Sequence, residues 1–325
     1  MWLASSRPAK RQATAESGIN KFQNYQFEDQ ETRRKSNPMP ESSLPLFTDH
    51  PRTYHDNKFV YPVLSRRSRG ISIGINLNPD KVCNFDCIYC QVDRTSLAET
   101  KFVETDRLLA ELDAMFRIVT SGDIFRVEKF ADVPAELQRL NDMAFSGDGE
   151  PTTYRNFDEI VSSVAELKRQ HGLGDVKMVL ITNASMFHRP VVQRALEILD
   201  ENNGEIWAKL ETGTEEYYQL VERTKIPFRQ ILENITQAAK LRPVVIQSLF
   251  MQIQGDPPPE AEIEAFCDRL NEIGKAGGTI KLVQIYTVAR QPAESFVAPL
   301  ADETVNHIAA TVAHRTGLTT DVYYG

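Results

Sequence analysis

Three cysteines stand within eight residues, Cys83, Cys87 and Cys90 in "KVCNFDCIYCQ", and no fourth lies near them. The remaining cysteine, Cys267, sits in "EAFCDRL", where helical spacing predicts a small core residue. Four cysteines in 325 residues are no disulfide scaffold, and three this crowded cannot pair sensibly. A structural zinc site is closed by four ligands, and the nearest histidine, His55, lies 28 residues upstream. A four-iron cluster takes one cysteine per iron, so three cysteines leave one iron with an open position. The sulfurs must converge on a compact object, which an irregular loop can arrange and a regular helix cannot; Asn78-Pro79 before the first cysteine favours a loop.

The loop needs a rigid frame. Residues 71–77 ("ISIGINL") read as a buried strand that leads into it. Further strands are expected over 142–147, 176–182, 205–211, 244–251 and 279–288. Helices are expected over 105–119, 157–169, 190–199, 259–275 and 302–315, with helical stretches before residue 241. Six strand–helix pairs imply right-handed crossovers and a parallel sheet, open or curled into a barrel. Residues 1–55 are polar with scattered apolar positions, which predicts a mostly disordered extension before a core domain over 56–325. "FSGDGEPTTY" (145–154), at the end of the second strand, is a tight strand-to-helix turn or a ligand shelf; a phosphate loop would want a GK[ST] ending that is absent.

C-x3-C-x2-C with an aromatic, Tyr89, before the last cysteine, followed one βα unit later by "SGDGEP", resembles the radical S-adenosylmethionine (SAM) superfamily. Over residues 60–300, "FSGDGEPT", "ITNAS", "KLETGTEE" and "IYTVAR" look like its small wyosine-synthesis-like iron–sulfur oxidoreductase branch. The resemblance implies a partial (β/α)6 barrel with its site at the C-terminal strand ends. It implies a 4Fe-4S cluster on Cys83, Cys87 and Cys90, SAM on the open iron, and hydrogen abstraction by a 5′-deoxyadenosyl radical. Gly147, Asp148, Gly149 and Glu150 would receive the methionine ammonium through backbone carbonyls, the glycines permitting close approach. Tyr89 is a plug for the cluster or stacks near adenine. Asn183 and Ser185 would reach ribose or simply cap a helix. Lys209 and Glu211, two apart on one strand, share a face and would bind SAM or substrate, or form a neutralised buried pair. Gln247, Gln284 and Arg290 are weaker candidates.

The net charge of −8 is uneven. Residues 1–70 carry 12 Lys and Arg against 7 Asp and Glu, and residues 71–325 carry 25 against 38, a balance of −13. A body so acidic disfavours a second reading, a wyosine-like RNA-modifying enzyme gripping phosphates with Arg66, Arg67 and Arg69. From another class, a non-catalytic metal-binding interaction module, holding zinc or a structural cluster and recruiting a partner through its tail, is disfavoured by the missing fourth ligand and by the glycine-rich stretch. Neither an 18-residue apolar run nor a signal-peptide h-region is present, so a cytoplasmic protein is expected, with no membrane partner. The expected partners are SAM, a small-molecule, protein or RNA substrate, and a reductant such as flavodoxin or ferredoxin.

Overall fold

The computed structural model describes residue 52, residues 54–98 and residues 100–325. All belong to the compact unit Pro40–Gly325. The extension expected over 1–55 lies almost wholly outside the described residues.

Eight strands form one sheet. In chain order they are β1 (Val60–Ser65), β2 (Gly70–Ile75), β3 (Leu140–Phe145), β4 (Lys177–Thr182), β5 (Gly204–Lys209), β6 (Val244–Leu249), β8 (Ile280–Tyr286) and β10 (Thr320–Tyr323). They also pair in that spatial order, β1 antiparallel to β2 and all the rest parallel. A two-residue pair, β7 (Gln252–Ile253) and β9 (Val297–Ala298), stands apart from the sheet. Between the strands run α1 (Thr105–Thr120), α2 (Phe157–Gln170), α3 (Pro190–Glu201), α4 (Glu215–Glu222), α5 (Phe228–Leu241), α6 (Glu260–Lys275) and α7 (Asp302–Thr316). The six expected strand–helix pairs are present, as a curled half-barrel. Two edge strands were not expected: β1 is broken in pattern by Pro62 and the arginines that follow, and β10 is only four residues long. No helix among the described residues is long and apolar enough to cross a membrane.

Alternation along the strands sorts the side chains. Ile71, Ile73 and Ile75 of β2, Met143 and Phe145 of β3, and Ile206 and Ala208 of β5 join the helices in the main core. Their neighbours Ser72, Gly74, Asp142, Ala144, Trp207 and Lys209 point to the inner face and line a cavity. Helix stripes supply the other half of the core, as in α1, where Leu108, Leu112, Met115, Phe116 and Val119 are buried.

One buried carboxylate anchors the first edge. Glu111 of α1 accepts from the backbone N–H groups of Lys58, Phe59 and Val60 at 3.0, 2.9 and 3.2 Å, and from Arg107 Nε at 2.9 Å. These amides lead into β1, whose only strand partner among the described residues is β2. Glu111→Ala strands them in an apolar setting, and we expect a loss of at least about 3 kcal/mol, because deleting one partner leaves buried polar groups unsatisfied. Urea denaturation of the full chain measures it; a change under about 1 kcal/mol would show that water replaces the carboxylate.

Candidate functional site

The inner face encloses a cavity of about 330 Å³, lined at one part by Cys83, Cys87 and Cys90, all half-buried. The cysteine loop follows β2 and has no regular secondary structure. Its backbone is held from outside. The N–H groups of Asp86 and Ile88 donate to the carbonyls of Glu222 and Val221, at the end of α4, at 3.1 and 2.9 Å. Ala293 N–H, beyond β8, donates to the Cys90 carbonyl at 2.9 Å. Between the first two cysteines, Asn84 ties the loop to the β4 end. Its Nδ2 donates to Ser185 Oγ at 2.8 Å, its Oδ1 accepts from Asn183 Nδ2 at 2.9 Å, and its carbonyl accepts from Thr224 Oγ1 at 3.0 Å.

Charged groups surround the thiols. Arg94 donates to the Cys90 sulfur at 3.6 Å and to the Lys81 carbonyl. The Cys87 thiol donates to Glu222 Oε2 at 2.7 Å. Burial pushes the Cys83 and Cys87 thiols above their ordinary range, and the Glu222 carboxyl with them. Tyr89 packs beside Ile88, Val221 and Leu249, and its hydroxyl donates to Glu211 Oε1 at 2.9 Å. Lys209 Nζ lies 3.0 Å from the same carboxylate oxygen and 4.8 Å from the centroid of the Tyr89 ring. Burial opposes the Lys209 charge, yet Glu211 and the hydroxyl of Tyr286 hold its pKa above the ordinary lysine value. Lys209 and Glu211 thus share the interior face that their spacing predicted, and they pair with each other there.

The glycine-rich stretch packs directly under the loop. A Cβ on Gly149 would collide with the Val82 carbonyl, and one on Gly147 with the Asn76 side chain. Asp148 is taken up by Arg52 and by Asn76 Nδ2, each at 2.7 Å. Glu150, buried, accepts from Thr152 N at 3.1 Å, Thr182 Oγ1 at 2.6 Å and Asn183 N at 2.7 Å. With both carboxylates occupied, the stretch offers the cavity its main chain. Asn183 reaches the cavity, whereas Ser185 is fully buried behind it and donates to Asn183 Oδ1 at 2.6 Å. Gln247 lines the cavity and donates to Gln284 Oε1 at 3.1 Å. Sequence reasoning missed Asn84 and Glu222. Asn84 carried no signal beyond lying between cysteines, and Glu222 reads as one more acid on a charged helix.

The three thiols on one cavity are a donor set that fits an iron–sulfur cluster. Among the described residues no three His, Cys, Asp or Glu side chains gather tightly enough for one metal ion. A four-iron cluster is broader and takes one thiolate at each of three corners.

The chain belongs to the radical SAM superfamily of enzymes, whose family profile matches residues 77–260. It is similar to the UPF0026 protein of Helicobacter pylori strain J99, 29% identical over 143 residues that cover 43% of this chain and 39% of that one. It is also similar to a UPF0026 protein of Methanocaldococcus jannaschii, 33% identical over 132 residues covering 41% and 35%. The chain therefore spans well under half the length of these two curated relatives. Among solved structures it shares its fold with a radical SAM methyltransferase from Sphaerobacter thermophilus, with a TM-score of 0.57, 12% identity, and coverage of 82% of this chain and 69% of that one.

The contact beneath the loop generates a prediction. Gly149→Ala forces the Val82 carbonyl, and the loop with it, away from the glycine stretch. We expect anaerobic reconstitution to load markedly less iron, while Gly174→Ala, where an added Cβ meets nothing within 4 Å, loads as the parent does. Equal iron in both variants would show that the loop tolerates the displacement.

Proposed function

We propose that the protein binds a 4Fe-4S cluster through Cys83, Cys87 and Cys90, leaves one iron for SAM, and uses the pair to abstract hydrogen from a substrate, with residues 56–325 as the catalytic domain. The observation that carries this reading is the meeting, on one cavity of a radical SAM half-barrel, of three thiols, a glycine main-chain shelf and a buried Lys–Glu pair. Held by the three thiolates, a reduced cluster would supply the electron for reductive cleavage of SAM, and with it the hydrogen-abstracting chemistry.

The chain's own residues then position and exclude. The backbone from Gly147 to Glu150 receives the SAM ammonium; the Asp148 and Glu150 side chains shape it by fixing its ends. Asn183 meets the ribose, held by Ser185 and Asn84. Tyr89 covers the cluster side of the cavity and orients Glu211. Lys209 meets a carboxylate of SAM or substrate, its charge maintained by Glu211. Arg94 offsets negative charge at Cys90. The exposed reaches of the loop, with Val82 63% and Leu97 95% exposed, give a reductant such as flavodoxin or ferredoxin access near the cluster. Arg66 and Arg67 are half-buried and line the cavity, which supports a substrate held inside it over an RNA gripped by that turn.

Cys83→Ala, Cys87→Ala and Cys90→Ala are each expected to lose the cluster's visible absorbance and all 5′-deoxyadenosine formation after reconstitution and reduction. Cys267→Ala keeps both, because that thiol is fully buried on α6 with its pKa pushed up to about 11 by burial. Iron loss in the Cys267 variant would overturn the three-thiolate assignment.

A further inference from the structure

The cavity holds more positive charge than its acids account for. Besides Lys209 and Arg94, it is lined by Arg52, Arg66, Arg67 and Arg290. The acids on its wall bond groups other than Arg66, Arg67 and Arg290: Asp148 bonds Arg52, Glu211 Lys209, Glu222 Cys87, Glu150 Thr152, Thr182 and Asn183, and Asp142 Ser72, while Asp142 Oδ2 and Glu222 Oε1 are themselves buried without a hydrogen-bond partner among the described residues. Arg66 gives its NH1 to a neutral acceptor, the Tyr324 carbonyl, at 2.5 Å. Arg67 stacks its guanidinium 4.4 Å from the Tyr286 ring centroid and 6.0 Å from that of Tyr323, and its Nε is buried with no hydrogen-bond partner. Arg290, on the segment after β8, has no carboxylate partner among the described residues. Burial, then the neighbouring charges of Arg52, Arg67 and Arg66, lower its pKa to about 10.

Crowding like charges in a half-buried site, with a donor left unpaired, costs free energy that an anion would recover. A guanidinium fork fits the planar oxygens of a carboxylate or the oxygens of a phosphate. We propose that Arg67 and Arg290 form the substrate's anion subsite, and that the substrate is a small molecule carrying a carboxylate or phosphate. The ring of Tyr286 places this subsite beside the proposed reaction centre, since Arg67 lies over that ring and Lys209 Nζ is 3.3 Å from its hydroxyl. Both arginines lie outside residues 77–260, the part that matches the superfamily profile. The interior setting of about 330 Å³ favours a small molecule over a polynucleotide, whose phosphates call for a broad basic surface.

The inference rests on the proposed function only for its link to a substrate, and its test needs no iron. Thermal melting of the full chain is followed against sodium malonate and against inorganic phosphate, with chloride matching ionic strength. Saturable stabilisation of the parent is expected, because a ligand that binds only the folded state raises its melting temperature. Arg290→Gln and Arg67→Gln should each weaken the apparent affinity by about tenfold or more, the loss of a charge-assisted contact. Arg194→Gln, which breaks an exposed pair with Asp158, should leave it unchanged. Without anion, Arg290→Gln should melt no lower than the parent, since it removes a crowded charge. No stabilisation of the parent, or equal stabilisation of the Arg67 and Arg290 variants, overturns the subsite. In the iron-loaded protein saturated with SAM, malonate or phosphate should still bind; displacement by SAM would assign the arginines to the cofactor. A short RNA binding more tightly than either anion, and lost in Arg290→Gln, would overturn the small-molecule assignment. Malonate preferred over phosphate, or the reverse, names the anion. Failure here leaves 5′-deoxyadenosine formation untouched, so the two readings stand or fall separately.

Discussion

The cysteine loop makes no hydrogen-bond ladder of its own, and everything chemical in the molecule depends on where it is pinned. Its amides and carbonyls are satisfied by the end of α4, by the segment after β8 and by the β4 end through Asn84. Three non-glycine residues around it, Lys81, Ala184 and Arg223, adopt left-handed backbone angles. Such conformations cost of order 1 kcal/mol each and persist only where surrounding contacts over-determine them. Elements far apart in the chain therefore share one task, setting three sulfurs around one space.

Strand parity does the rest of the positioning. Because successive side chains alternate across the curled sheet, the apolar set that packs under the helices automatically leaves the intervening positions facing inward. Those inward positions carry Ser72, Asp142, Trp207, Lys209, Gln247 and Tyr286. Polar groups held there are costly unless partnered, and the pairing of Lys209 with Glu211 and of Gln247 with Gln284 meets that requirement. Among the described residues Arg67 and Arg290 lack a carboxylate partner, and that excess of positive charge distinguishes their part of the cavity from the part beside the cysteines, where Glu222 lies against Cys87.

The open side of the half-barrel is drawn together by the same residues. Arg66, in the turn between β1 and β2, bonds the Tyr324 carbonyl just past β10, while Arg67 stacks on Tyr286 and Tyr323. The first and last strands of the sheet thus meet through side chains where no strand pairing closes it. Contacts that close the cavity wall also set its charge, so the shape and the chemistry of that wall are not separable.

Much of this was legible in the residues alone. The crowding of Cys83, Cys87 and Cys90 after Asn78-Pro79 calls for an irregular loop, a signal local in sequence, and the six strand–helix pairs follow from apolar periodicity, which is equally local. The same-face placement of Lys209 and Glu211 needed only a strand's period of two. Other features depended on contacts between distant segments. Nothing in "VERTK" marks Glu222 as a partner of Cys87, and nothing near "SGDGEP" says that the close approach to Gly149 is made by the Val82 carbonyl. Arg66 and Arg67 read as a basic surface turn until the curl of the sheet brings β10 beside them. Local pattern determines which face of an element is apolar, but only the closure of the sheet decides which charges come to look at one another across its interior.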